Sequence, residues 1–275
     1  MIRSLLLAVD ASPWGKVAAT YATYLCYKLD ATLDAVYVMD SRLINMPYWT
    51  DYGAISLPVT RFAGEMQELL STQGTAVLAQ IQENAEKVGL TCRTELRTGI
   101  PATQILAAAQ DCDLIILGRR GESSRLEEAK GLGAVAERVL HSSKMPVILT
   151  DEHYTELTRV LLGYDGSDRA REAMVYAAEL AARLELPMLA ISVHDKLELA
   201  EERLNTVTAY AEAHRLDLTT LALQGDPVEA ILNQALDGDL IAIGAFGEGR
   251  VRAWLLGSTT EAILRGSIQP VLLHR

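Results

Sequence analysis

Leu240-Ile241-Ala242-Ile243-Gly244, followed by Gly247 and then by Gly257-Ser258-Thr259, is the stretch on which the reading of this chain turns. Residues 240–243 are an unbroken apolar run, the mark of a parallel strand covered on both faces. The glycines follow in a G-x2-G-x9-G-S-T pattern, and Gly257 opens a helical stretch that runs to Arg265. A glycine-rich loop that leaves a strand and feeds a helix N-terminus is a ready anion site. Glycine lets the backbone approach a ligand, while unpaired N–H groups and the helix dipole favour phosphate. Ser258 and Thr259 add hydroxyl donors at that point, so the stretch points to a nucleotide.

Working outward, the same unit occurs twice. Arg3–Ser12 matches Arg159–Ser167 in its apolar run, its aspartate (Asp10, Asp165) and the serine two places on, at an offset of 155. Further along, Gly99-Ile-Pro101 matches Gly225-Asp-Pro227, Gly118 matches Gly244 and Gly121 matches Gly247, all at an offset of 126. The difference of 29 residues places an insert in the first copy, between Val38 and Leu90. Pro146 and Pro270 lie 124 apart, which puts two further residues into the first glycine loop.

Within the first copy, strands are expected near 3–9, 32–38, 91–97, 113–117 and 146–150, and helices near 13–29, 65–88, 101–110 and 133–141. Val77, Ile81, Ala85 and Val88 fall on one helical face. This alternation predicts two tandem doubly wound α/β domains of five parallel strands each, Rossmann-like, in the order 3-2-1-4-5. The domains are expected over 1–150 and 159–275, joined by polar Asp151–Thr158. Ligands of such sheets sit beyond the strand carboxyl ends where the order reverses, between the first and fourth strands. Asp165 and Gly244 converge there.

Composition narrows the class. A net charge of −11 argues against nucleic acid as the main partner. No apolar segment is long enough to span a bilayer and no leader is visible. Cys26, Cys92 and Cys112 lack C-x-x-C spacing, which suits buried thiols in a cytoplasmic protein.

The ordered set of aspartate, G-x-P turn and G-x2-G-x9-G-[ST] loop, present twice, resembles the universal stress protein family in its tandem form, over nearly the whole chain. Members that keep the loop typically bind ATP. The resemblance implies that Asp165, Val193, Gly244, Gly247, Gly257, Ser258 and Thr259 contact an adenine nucleotide, with Val193 against the base. Gly244 and Gly247 would shape the loop, and Gly257, Ser258 and Thr259 would hold phosphates. It also implies pairing of Val147-Ile148-Leu149 with Val271-Leu272-Leu273 as a pseudo-dimer within the chain, and leaves homodimerisation open. The expected function is regulatory: an ATP-binding stress-response protein signalling to a protein partner. A slow ATPase using the same site and a nucleotide-free scaffold are the alternatives, and Mg2+ at Asp165 is a further expectation.

The first domain departs from the pattern. Gly118-Arg119-Arg120-Gly121 is intact, but nine residues on stands Gly131-Leu132. Alignment on Ala136–Val139 gives Gly133-Ala134 instead, and neither choice supplies a hydroxyl. Charged residues sum to −1 over 122–130 and to +1 over 248–256. Both differences disfavour a triphosphate there, so one nucleotide site per chain is expected. Asp10 is read as a helix cap, and Asp165 as either a cap or a ligand-facing carboxylate. Arg119 and Arg120 are either a vestigial phosphate clamp or a solvated pair. His194 adjoins the second strand's end, and His141, His153, His214 and His274 show no metal-ligand spacing. No Ser–His–Asp order, zinc motif or lysine-bearing phosphate loop is present, which weighs against robust catalysis. The insert at 40–74 gathers Met46, Pro47, Tyr48, Trp49, Tyr52 and Phe62 and reads as a lid, a docking surface or a packed extension of its own domain.

Overall fold

A computed structural model describes residues 1–44, 59–122, 131–245 and 257–274, with side chains from 63 onward in the second of these stretches. The first half runs β1 (Ser4–Val9), α1 (Pro13–Leu29), β2 (Thr32–Asp40), α2 (Ser41–Ile44), α3 (Val59–Lys87), β3 (Cys92–Gly99), α4 (Pro101–Ala108), β4 (Leu114–Gly118), α5 (Ala134–Ser142) and β5 (Val147–Thr150). The second runs β6 (Arg159–Gly163), α6 (Asp168–Leu184), β7 (Met188–Val193), α7 (Leu197–His214), β8 (Leu218–Leu223), α8 (Pro227–Gln234), β9 (Asp239–Gly244), α9 (Ser258–Gly266) and β10 (Val271–His274).

Each half has the expected strand order 3-2-1-4-5, and the two join into one ten-stranded sheet, β3-β2-β1-β4-β5-β10-β9-β6-β7-β8. All pairings are parallel except the seam, where β5 and β10 run antiparallel with Leu272 opposite Ile148. The duplication is visible in the register. Leu5 faces Leu114 in the first half, and Val160 faces Leu240 in the second, at the offsets of 155 and 126.

Alternate strand residues feed two cores, because successive side chains point to opposite faces. Leu5, Leu7, Leu114 and Ile116, with Val160, Leu162, Leu240 and Ala242, pack under residues of α1, α3, α6 and α7. Leu6, Ile115, Leu117, Leu161, Ile241 and Ile243 pack under α4, α5, α8 and α9. Both cores run through both halves, so the sheet is covered on each side as its continuous apolar strands require.

Two details differ from the sequence reading. Helix α2 at the start of the insert was not foreseen. Helix α3 starts at Val59, six residues earlier than expected, and is 29 residues long where its counterpart α7 has 18, so part of the insert is helix. The aromatic cluster at 46–52 and the side chain of Phe62 lie outside the described residues.

Candidate functional site

In the second half, β6 and β9 are neighbours whose following helices lie on opposite faces, and a cavity of about 210 Å³ opens between their carboxyl ends. Its lining brings together Asp165, Val193, Gly244, Gly257, Ser258 and Thr259. Gly247, the remaining expected contact, lies outside the described residues.

Local sequence explains each position. Asp165 is exposed just beyond β6, and its Oδ1 accepts the backbone N–H of Ser167 at 2.9 Å. The cap of α6 is Ser167 itself, whose hydroxyl accepts from the Ala170 N–H at 3.2 Å. Gly244 ends β9 beneath the first turn of α6. A Cβ there would lie 3.0 Å from the Ala170 nitrogen, so close helix–strand packing favours glycine independently of any ligand. Gly257 is the N-cap of α9 and supplies no side-chain cap. The helical ladder begins with Glu261 N donating to Gly257 O, which leaves the N–H groups of Ser258, Thr259 and Thr260 ahead of it. Ser258 and Thr259 are exposed, whereas buried Thr260 donates its hydroxyl to Gly244 O at 3.2 Å and ties the helix to the strand end.

The opposite wall was only partly legible. Val193 lines it with Ile191, two residues earlier on the same strand face, and with Ile231 of α8. Pro227 enters through the G-x-P turn, where Gly225 adopts φ +110° and the Asp226 carboxylate caps α8 through Val228 N and Glu229 N. Ile191 and Ile231 were not among the expected site residues; period-two alternation back from Val193 identifies the first. The result is an apolar slot facing a helix N-terminus whose N-cap residue, Gly257, offers no side chain, with two hydroxyls and one carboxylate. A flat base, phosphates and a cation held at Asp165 match that donor set.

The first half has a cavity of about 190 Å³ at the equivalent point. Gly133 N-caps α5 as Gly257 does α9, which settles the alignment in favour of Gly133-Ala134. Ala134, Val135 and Ala136 therefore stand where the second cavity has Ser258, Thr259 and Thr260. The N-cap of α1 is Ser12, accepting from Gly15 N at 3.0 Å, which corrects the reading of Asp10 as the cap. Asp10 acts one step behind. Its Oδ1 accepts from Ser12 N and the Ser12 hydroxyl, and its Oδ2 accepts Glu122 N at 2.9 Å, so it clamps the glycine loop to the end of β1. The short side chain at Ser12 and the bare backbone at Gly121 permit this approach; a Cβ on Gly121 would lie 2.6 Å from Asp10 Oδ2. Gln73 of α3 donates to the Glu122 carboxylate at 2.5 Å. Burial pushes the Tyr37 phenol well above its ordinary range, with Glu122 and Asp10 adding to the shift.

Arg119 is neither a phosphate clamp nor solvated, which corrects the reading of the Arg119–Arg120 pair. It is 4% exposed and donates to Leu264 O in the last turn of α9 and to Ser267 O and Gln269 O just beyond it, at 2.5–2.8 Å, and pairs with Asp151 at 3.1 Å. A first-domain loop residue thus caps the second-domain helix whose other end meets the cavity. Arg120 lies over the Trp14 ring, 5.4 Å from its centroid. His194 Nδ1 accepts Lys196 N in a local turn. Exposed Glu152 and His153 adjoin Asp151, which Arg119 already engages. Cys26 and Cys112 are buried and Cys92 is half-buried, so the expectation of full burial fails for Cys92 alone. No helix among the described residues is long and apolar enough to cross a membrane.

Comparison with known proteins agrees with this fold. A universal stress protein of Synechocystis sp. is 29% identical over 293 residues, covering all of both chains. A universal stress protein of Methanocaldococcus jannaschii is 30% identical over 152 residues, covering 54% of this chain and 82% of its own. The crystal structure of a universal stress protein from Archaeoglobus fulgidus superposes with a TM-score of 0.76 at 22% identity, over 99% of this chain and 98% of that one. The model of the universal stress protein family matches twice, at residues 1–151 and 156–275. The chain belongs to the universal stress protein family, as a tandem of two such domains.

Proposed function

We propose that the protein binds ATP in its second domain, in the cytoplasm, and uses occupancy of that site as a regulatory signal to a protein partner. The observation that carries the reading is the convergence of Asp165, Val193, Gly244, Gly257, Ser258 and Thr259 on one cavity between β6 and β9. In this reading the base lies against Val193 and Ile191. The phosphates meet the N-terminus of α9, where N–H groups and the helix dipole favour negative charge. Ser258 and Thr259 donate hydroxyl hydrogen bonds to them, and Asp165 accepts from ribose or holds Mg2+. In this reading the role is binding rather than fast turnover.

The site also has a structural route outward. Helix α9 is held at its far end by Arg119, so ordering its first turn on a ligand bears on the root of the first domain's glycine loop. The test is thermal unfolding with and without millimolar ATP and Mg2+. A ligand that binds only the folded chain must raise the melting temperature. The expected rise is lost in the Ser258→Ala/Thr259→Ala double variant; a native chain whose melting temperature ignores ATP contradicts the proposal.

A further inference from the structure

We propose that the first-domain cavity is a second ligand site that takes an uncharged nucleoside. The contrast with ATP rests on the reading of the second cavity given above; the binding itself rests on the first cavity's own lining.

The floor of the slot is kept. Val36, Val38, Pro101 and Ile105 line the first cavity at the positions of Ile191, Val193, Pro227 and Ile231 in the second. A flat heterocycle therefore meets the same apolar surface in both. The phosphate end is not kept. Ala134, Val135 and Ala136 replace three consecutive hydroxyl residues, so no side-chain donor remains on the first turn of α5. The backbone N–H groups of that turn persist, and discrimination falls to the surrounding charges.

Those charges oppose phosphate. Asp10, Asp40 and Glu122 line the cavity against Arg42 and Arg120. Both cations are already engaged. Arg42 makes a forked pair with Asp40 at 2.6–3.1 Å, which holds that carboxyl below its ordinary range although burial works the other way. Arg120 lies over Trp14. The Glu122 N–H at the loop's start is also taken, by Asp10. Among the described residues, a phosphate entering here would meet carboxylates without an uncommitted guanidinium, a repulsive arrangement of the kind that sets specificity.

What the cavity offers instead is acceptance. A carboxylate has about four lone-pair positions; the three bonds to Asp10 from Ser12 and Glu122 leave capacity for a ligand hydroxyl or amine. Leu43 of α2 and Leu70 of α3, both contributed by the insert, close the side of the slot. An apolar slot of about 190 Å³ with an acceptor at one end matches a heterocycle bearing a neutral sugar.

The test is calorimetric titration of the full chain with adenosine, in the presence of saturating ATP and Mg2+. One further equivalent of adenosine is expected to bind. Val38→Trp, which fills the slot, should abolish it, and Val193→Trp should leave it intact. On the Val193→Trp chain, ATP should bind at least about tenfold more weakly than adenosine. No uptake of adenosine by ATP-saturated protein overturns the proposal, as does ATP binding to Val193→Trp as tightly as adenosine. If ATP binds neither variant while adenosine still binds in a manner that Val38→Trp removes, the second-domain reading fails and this one stands. Should Val38→Trp not fold, photolabelling of the unmodified chain with 8-azidoadenosine decides. Label on peptides carrying Val38 or Ile105 supports the site, and label confined to the second domain contradicts it.

Discussion

The cavity beyond β6 and β9 and the cavity beyond β1 and β4 descend from one repeated sequence unit, yet they face a ligand differently. Ile191, Val193, Pro227 and Ile231 have close counterparts in Val36, Val38, Pro101 and Ile105. At the mouth, exposed Ser258 and Thr259 are matched by Ala134 and Val135, and the loop root carries Arg119 where the second half has Ala245. Buried apolar contacts that also hold the helices on the sheet constrain the floor, so it changes little. Ser258 and Thr259, exposed at the mouth, are under no such packing constraint, and there the two halves differ.

The largest expected effect concerns Arg119, the point at which one mouth has become a structural joint. Replacing it by methionine leaves Asp151 without its cation and three carbonyls at and beyond the C-terminal end of α9 without this donor. That should cost about 3–5 kcal/mol, as loss of one partner of a buried pair does. Urea unfolding measures it; a loss below about 1 kcal/mol would mean that the side chain behaves as a surface charge.

Next comes the difference in hydroxyls. Removing both in Ser258→Ala/Thr259→Ala should weaken ATP binding by about 3 kcal/mol, roughly a hundredfold, at about 1.5 kcal/mol for each hydrogen bond to a charged group. Equilibrium dialysis reads this directly, and unchanged affinity would remove the basis for distinguishing the two mouths.

The caps give a smaller contrast. Ser167→Ala should cost about 1 kcal/mol, the usual value of an N-cap, whereas Ser12→Ala should cost about 2 kcal/mol because Ser12 also anchors Asp10 and, through it, the loop. Equal losses in urea unfolding would show that the clamp adds nothing.

Smallest is the behaviour of the thiols. Burial pushes Cys26 and Cys112 up to about 12, with nearby negative groups adding, and half-buried Cys92 up to about 11. The folded state thus holds these groups protonated. Its gain from them is present below the ordinary thiol range and fades as pH rises toward those values. Folded protein at pH 8 should react slowly with Ellman's reagent and unfolded protein rapidly; fast reaction of Cys26 while folded would contradict its burial.

Much of this was legible in the sequence because strand burial and internal repetition are written there. The offsets of 155 and 126 reappear as strand register, and Asp165, Val193, Gly244, Gly257, Ser258 and Thr259 line one cavity as the G-x2-G-x9-G-S-T spacing and the family resemblance suggested. Arg119 was not legible. Its carbonyl partners lie 145 to 150 residues away and become available only when β5 pairs with β10. The role of Asp10 was misassigned for a related reason: Asp and Ser are both good caps, and sequence alone does not say which of two neighbours reaches the helix. The wall made by Leu43 and Leu70 depends on where the insert returns to the sheet, which periodicity does not specify.

The most direct test of the account is the number of ATP molecules that one chain binds at saturation with Mg2+, counted by equilibrium dialysis for the unmodified protein and for Val193→Trp. The account predicts one for the unmodified chain and none for the variant. Two for the unmodified chain, or one retained by Val193→Trp, would contradict a single triphosphate site in the second domain.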